Sequence, residues 1–143
     1  MVEINNLTAV SVDEEFLKKI ATIILKGEKK KEADVSIALV GPHRIREINK
    51  KYRGKNKTTD VLAFLESSKQ KSFTGLGEIV ICPKEVGRNA KKFNLTFKKE
   101  LAQVLIHGIL HLLRYDHEKT EKEAKIMTAK QAYYLKLFFN GKS

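Results

Sequence analysis

The stretch TDVLAFLESSKQKSFTGLGEIVICP at residues 59–83 decides the fold class. Two short apolar runs in it, 59–65 and 77–82, predict two consecutive strands, and Pro83 ends the second run. A polar loop is predicted between them at 66–75, with no helical segment. Consecutive strands argue against a doubly wound sheet, in which a helix separates each strand from the next.

The segments on either side of this stretch predict the remaining elements. Before it we expect an extended segment, a helix with Asp13 as its N-cap, a strand and a short helix, at 2–12, 14–26, 34–40 and 43–51. After it we expect three helices, at 84–92, 97–113 and 120–139. The apolar stripe of the last helix is expected to comprise Ala124, Met127, Ala132, Leu135 and Phe138. The order β-α-β-α-β-β-α-α-α predicts a single α+β domain over residues 1–143, a small mixed four-stranded sheet packed against several helices.

Composition points to a globular protein in a reducing compartment. The chain of 143 residues has one cysteine, Cys82, which cannot form an internal disulfide and is expected to be a buried thiol at a strand end. No run of 18 apolar residues and no secretory signal occur, so we expect a cytoplasmic protein without a membrane span.

The net charge of +11 favours a polyanionic partner. Residues 43–57 carry seven Lys or Arg against one acid, and residues 84–99 carry six against one. Such clustering favours a basic face that binds nucleic acid, with an acidic membrane surface a weaker candidate. A lysine-rich surface that only keeps the protein soluble is the alternative.

Three of the four histidines lie within eleven residues, at His107, His111 and His117. The i, i+4 spacing puts His107 and His111 on one helix face, where both can reach one zinc ion. His117 can join them only if the chain turns back after Leu113. Three protein ligands leave a coordination position open for water, as catalytic zinc sites require. The alternative is a pair of hydrogen-bonded core histidines in an apolar helix.

The spacing H-x3-H-x5-H is that of metzincin peptidases, but their catalytic glutamate is absent. Position 108 is glycine, which disfavours a peptidase using that base. Asp116 is the nearest acid and could orient a ligand histidine, act as a base, or be an ordinary surface carboxylate in a turn. His43, the fourth histidine, is expected to be an ordinary surface residue.

The segment HGILHLLRYDH at 107–117 resembles the signature H-G-x-L-H-L-x-G-Y-D-H of the YbeY family. Two other blocks also resemble that family: INKKYRGK at 48–55 followed by TDVLAF at 59–64, and LGEIVICP at 76–83. The resemblance implies a mixed sheet with several helices and one zinc ion on His107, His111 and His117, although three imidazoles also suit other divalent transition metals.

The resemblance further implies a single-strand-specific endoribonuclease. It would mature the 3′ end of 16S rRNA and act in ribosome quality control, with rRNA and a ribosomal subunit as partners. The family's RNA-handling arginine falls on Arg53; from the sequence alone, a solvated basic residue is the alternative. Tyr52 and Phe64 could stack on bases, but packing in the core or on a strand is favoured.

Departures from the family pattern leave the three histidines intact. Arg114 stands where the family has glycine, at the turn that His117 requires, and arginine is disfavoured at positive φ. Thr58, Ala63 and Glu78 replace a proline, a serine and an aspartate. A ribosome-associated assembly factor with structural zinc and a metal hydrolase of another substrate class, peptides included, remain alternatives. The sequence leaves the oligomeric state open.

Overall fold

The computed structural model describes residues 1–65, 75–113 and 120–139. Its elements are β1 (Val2–Asn6), α1 (Glu14–Gly27), β2 (Asp34–Leu39), α2 (Pro42–Arg53), β3 (Val61–Leu65), β4 (Gly75–Ile81), α3 (Pro83–Lys92), α4 (Phe97–Leu112) and α5 (Glu121–Phe138). The predicted α+β class and element order are confirmed. Asp13 is the N-cap of α1, as expected, and its Oδ1 accepts a hydrogen bond of 3.1 Å from the Phe16 amide. The predicted loop 66–75 lies outside the described residues except at Gly75, which begins β4.

The four strands form one mixed sheet in the order β1-β2-β4-β3. β1 is parallel to β2 and β2 to β4, whereas β3 is antiparallel to β4, with Ala63 opposite Ile79. The mixed four-stranded sheet predicted from the sequence is therefore confirmed. β3 lies at one edge and follows directly from the segment that joins it to α2.

The main core lies on one face of the sheet. Alternation along β2 turns Val35, Ile37 and Leu39 towards α1 and α4. The long helix α4 is central, since it contacts α1, α3, α5, β3 and β4. On the opposite face, Ile45 of α2 packs in a smaller cluster that includes Cys82.

Cys82 is fully buried, and burial raises the pKa of its thiol. The buried thiol expected from the sequence is confirmed. Among the helices of the described residues, none combines the length and apolarity that crossing a bilayer requires.

Helix α5 packs through most of the predicted stripe, since Met127 lies in the main core and Leu135 and Phe138 pack against it. Met127 and Tyr134 are its buried residues, whereas Ala132 is exposed, so its place in the stripe was wrong. Residues seven apart return to the same helix face, but residues five apart point about 140° away from each other. The Tyr134 hydroxyl donates a hydrogen bond to Glu28 just beyond α1, which fixes α5 beside that helix.

Candidate functional site

Helix α4 brings His107 and His111 together. Their rings lie with centroids 4.6 Å apart at an interplanar angle of 71°, and both side chains are half-buried. The helix is anchored at its start by Thr96, whose Oγ1 accepts a hydrogen bond of 3.1 Å from the Lys99 amide. Both imidazoles are thus held on one face of a helix that is otherwise packed in the core.

The remaining predicted ligand lies beyond the end of α4. The helix ends at Leu112 with Leu113 as its C-cap, which is where the chain must turn if His117 is to reach an ion. His117, Asp116 and Arg114 fall outside the described residues, so their roles stay predictions. Within 1–65, 75–113 and 120–139, no group of three His, Cys, Asp or Glu side chains could hold a metal.

Gln131 of α5 contacts one of the two placed histidines. Its Nε2 lies 2.6 Å from Nδ1 of His107, and both groups are partly buried. An amide can present either its oxygen or its nitrogen to an imidazole nitrogen. A hydrogen-bonding partner on one ring nitrogen orients the ring and leaves the other nitrogen to bind a metal. No pattern in the sequence indicates Gln131, which lies 24 positions from His107.

The donor set fits zinc as far as the structure describes it. Two half-buried imidazoles at i, i+4 spacing, one of them oriented by a polar side chain, are typical of a zinc site.

The glycine at position 108 also has a structural explanation. A Cβ on Gly108 would lie 3.3 Å from Cγ2 of Ile79, because α4 packs closely on β4 there. A glutamate at 108 would have to displace that strand contact.

Both histidines line a cavity of about 620 Å³ between α4, β3 and the end of α2. Cationic side chains from α2 and the following loop line it as well, namely Arg53, Lys55 and Lys57. The predicted metal ligands and the predicted RNA-handling arginine therefore share one cavity. Its polar lining and positive charge suit an anionic substrate.

Arg53 is the last residue of α2. Gly54 ends the helix in the left-handed region at φ 69°, a conformation that glycine adopts without steric cost. Nη2 of Arg53 donates to the carbonyl oxygen of Ala63 on β3 at 3.4 Å. Arg53 thus stands at the exposed end of α2 and lines the cavity, and its role in RNA handling stays a prediction.

The loop between α2 and β3 is held by a buried amide. Asn49 is 2% exposed, and its Nδ2 donates to the carbonyl of Lys57 at 3.0 Å. The amide of Lys55 donates in turn to the Asn49 carbonyl at 3.3 Å. These bonds fix the part of the cavity wall that carries Lys55 and Lys57.

Two carboxylates, Asp60 and Glu100, also line the cavity, and the sequence analysis missed both. Glu100 is only 6% exposed, and burial raises the pKa of its carboxyl, with the nearby charge of Asp60 adding to the effect. The sequence offers one indication that Glu100 belongs to the site: it lies seven residues before His107, and residues seven apart share a helix face.

Tyr52 lies at the surface beside this region, contrary to the expectation of core or strand packing. It is 62% exposed, and its ring contacts Phe64 edge-on with centroids 5.5 Å apart. Phe64 is half-buried against the smaller core cluster, in agreement with strand packing. His43 is a surface residue, as expected, with 91% of its side chain exposed.

Comparison with known proteins decides the family. A family model described as Endoribonuclease YbeY matches residues 3–138. The chain belongs to the YbeY family. A YbeY relative from Thermodesulfovibrio yellowstonii, named Endoribonuclease YbeY, is 42% identical over 123 residues, covering 78% of this chain and 77% of the relative. Another of that name, from Thermotoga neapolitana, is 42% identical over 128 residues, covering 88% of this chain and 83% of the relative.

A solved structure supports the YbeY fold. The solution structure of a Thermotoga maritima protein is 40% identical to this chain and superposes with a TM-score of 0.69. The match covers 95% of this chain and 87% of the Thermotoga maritima chain. The fold and family expected from the three sequence blocks are thus confirmed.

Proposed function

We propose that this chain is a metal-dependent endoribonuclease that hydrolyses phosphodiester bonds in single-stranded RNA. One observation carries the proposal: two histidines at metal-binding spacing and Arg53 line the same polar cavity. The names of the relatives support a nuclease activity. The net charge of +11 supports a polyanionic substrate.

His107, His111 and His117 would hold one zinc ion, which would supply Lewis acidity and a water of lowered pKa. Arg53 would bind a phosphate oxygen through its planar guanidinium and stabilise the charge that develops there. Lys55 and Lys57 would neutralise neighbouring phosphates. Asp116 would orient a ligand histidine or accept a proton.

The biological substrate in this proposal is ribosomal RNA in the cytoplasm. Maturation of the 16S rRNA 3′ end and ribosome quality control, with a ribosomal subunit as partner, are the roles that family membership suggests. A peptide substrate is disfavoured because position 108 is glycine and the glutamate that a metzincin uses is absent; a side chain there would press on Ile79 of β4.

His111→Ala tests the proposal, and His43→Ala is the matched control because His43 is exposed on α2, away from the cavity. We expect His111→Ala to lose bound zinc and cleavage of single-stranded RNA, and His43→Ala to retain both. Unchanged zinc content in His111→Ala would disprove the metal site. Cleavage that persists after complete zinc removal would disprove the metal-dependent mechanism.

A zinc-loaded wild-type protein that binds ribosomal subunits but cleaves no RNA would also refute the enzymatic proposal. That result would instead support a non-catalytic assembly factor with structural zinc.

A further inference from the structure

Glu100 is a buried carboxylate whose charge no described group neutralises. It is 6% exposed and lines the histidine cavity. In the described part of the chain, its side chain accepts no hydrogen bond and makes no ion pair. An ionised carboxylate in such a position is costly unless a cation or hydrogen-bond donor meets it. The arrangement therefore points to a ligand that arrives from the cavity.

A purely structural role for Glu100 explains less. The residue lies in the first turn of α4, where a negative charge interacts favourably with the helix dipole. That effect is available to an exposed side chain and would lower the pKa, whereas the pKa of Glu100 is raised. The N-cap function of α4 is already performed by Thr96. Helix capping thus gives no reason for a buried carboxylate at this position.

Asp60 is the second acidic group in the same cavity, and it is fixed in place. Its Oδ2 accepts a hydrogen bond from Asn89 at 3.3 Å, and its Oδ1 accepts one from Thr59 at 3.4 Å. The nearby charge of Asp60 also raises the pKa of Glu100. Two carboxylates that repel each other in one cavity are stabilised together by a cation between them.

We propose that Asp60 and Glu100 bind a hydrated Mg²⁺ ion, at a site separate from the histidine centre. Mg²⁺ is commonly held by one or two carboxylates, several waters and substrate phosphates. Two protein carboxylates are what this cavity offers. A cavity of about 620 Å³ has room for the retained waters and for part of an RNA strand.

The spacing along α4 defines what this ion does. Seven residues separate Glu100 from His107, a rise of about 10 Å along the helix. Paired catalytic metals lie about 3.5–4 Å apart and share one phosphate. The Mg²⁺ ion would therefore bind a neighbouring phosphate of the strand and position it, rather than act on the scissile bond. This role in substrate binding rests on the proposed function, whereas ion binding itself does not.

The cavity's own cations do not substitute for the ion. Arg53, Lys55 and Lys57 line the same cavity, yet within the described residues none of them forms an ion pair with Asp60 or Glu100. These side chains stay available for phosphates. A cavity with both basic side chains and a carboxylate pair can bind phosphate directly and through a divalent cation.

Mn²⁺ is the probe for this site, because it replaces Mg²⁺ at oxygen ligands and gives an electron paramagnetic resonance signal when free in solution. The experiment uses the full-length protein with its histidine site saturated with zinc. We expect wild-type protein to bind one Mn²⁺ that Mg²⁺ displaces. Glu100→Gln and Asp60→Asn should each weaken binding at least about tenfold, since even the loss of an outer-shell partner costs 10–100-fold.

Glu47→Gln is the matched control, because Glu47 is an exposed acid on α2. It should bind Mn²⁺ as wild type does. His111→Ala should keep the Mn²⁺ site, which shows that the two sites are separate. Circular dichroism confirms that each variant is folded, and Asp60→Asn keeps one side-chain oxygen that can accept the hydrogen bond from Asn89. Wild-type affinity in both Glu100→Gln and Asp60→Asn would overturn the proposal, as would the absence of Mn²⁺ binding to wild type.

Kinetics separate this proposal from the proposed function. With single-stranded RNA as substrate, Glu100→Gln should raise KM and leave kcat unchanged, as expected for a group that binds ground state and transition state equally. In Mg²⁺-free buffer the difference from wild type should disappear. If no variant cleaves RNA but Mn²⁺ binding still depends on Asp60 and Glu100, the nuclease proposal fails and the cation site stands. A fall in kcat alone would overturn the positioning role.

Discussion

Replacing Gln131 with alanine removes the side chain that contacts Nδ1 of His107 at 2.6 Å, and we expect zinc affinity to fall. The contact is partly buried, so losing it leaves an imidazole nitrogen without this partner at a cost of about 1–3 kcal/mol. Since about 1.4 kcal/mol corresponds to a factor of ten, that cost weakens binding roughly 5–150-fold. The estimate spans the 10–100-fold loss typical when the partner of a ligand histidine is removed.

Two further variants make this prediction specific. Because Nδ1 of His107 faces Gln131, zinc would bind through Nε2, and Nδ1 would then carry a proton that its partner must accept. Gln131→Glu supplies such an acceptor and should keep near wild-type affinity. Gln103→Ala removes an amide from the same cavity but keeps the contact between Gln131 and His107. This variant should bind zinc normally.

Zinc affinity is measured by competition with a chromophoric chelator, and circular dichroism establishes that the variants are folded. A Gln131→Ala protein that retains wild-type affinity would refute the assigned orienting role. Equal losses in Gln131→Ala and Gln131→Glu would refute the argument that the partner acts by accepting the Nδ1 proton.

Two other predictions concern the rest of the cavity. Arg53→Ala should lower kcat for RNA cleavage about 10²–10³-fold without changing zinc content. Arg53→Lys should lower kcat less, because lysine keeps the charge but not the planar fork. Equal kcat in the wild type and both variants would contradict the role of Arg53. In Mg²⁺-free buffer, Glu100→Gln should raise the free energy of unfolding at about pH 8 and leave it unchanged at about pH 3.5. The folded-state pKa of Glu100 is raised, so stability is lost as pH rises from the ordinary glutamate range through that raised value. Denaturant unfolding at both pH values checks this, and a destabilised variant at the higher pH would contradict it.

The histidine pair could be predicted because its geometry is local. His107 and His111 lie one turn apart on a helix whose apolar residues already predict burial, so no tertiary information is needed to place them together. Arg53 needed the family resemblance, because only the fold shows that the end of α2 meets β3 at the cavity. The strands at 59–65 and 77–82 could also be predicted from local sequence, because each is a short apolar run.

Residues that act through long-range packing escaped prediction. Gln131 reaches His107 only because α5 packs on α4, and no periodicity links positions 107 and 131. Glu100 looks from the sequence like an ordinary first-turn acid, since its burial depends on how α4 packs in the fold. Tyr52 was misjudged because only the fold shows which side of α2 faces solvent, and Tyr52 is 62% exposed there.

The edge position of β3 has a consequence for self-association. In the described part of the chain this strand has a neighbour on one side only, and unpaired strand edges invite edge-to-edge pairing between molecules. The Arg53 guanidinium bonded to the Ala63 carbonyl and the lysines of the preceding loop place positive charge along that edge. Two copies approaching through β3 would bring these charges together. The cations proposed to bind RNA would thus also keep the molecule from aggregating through its own sheet.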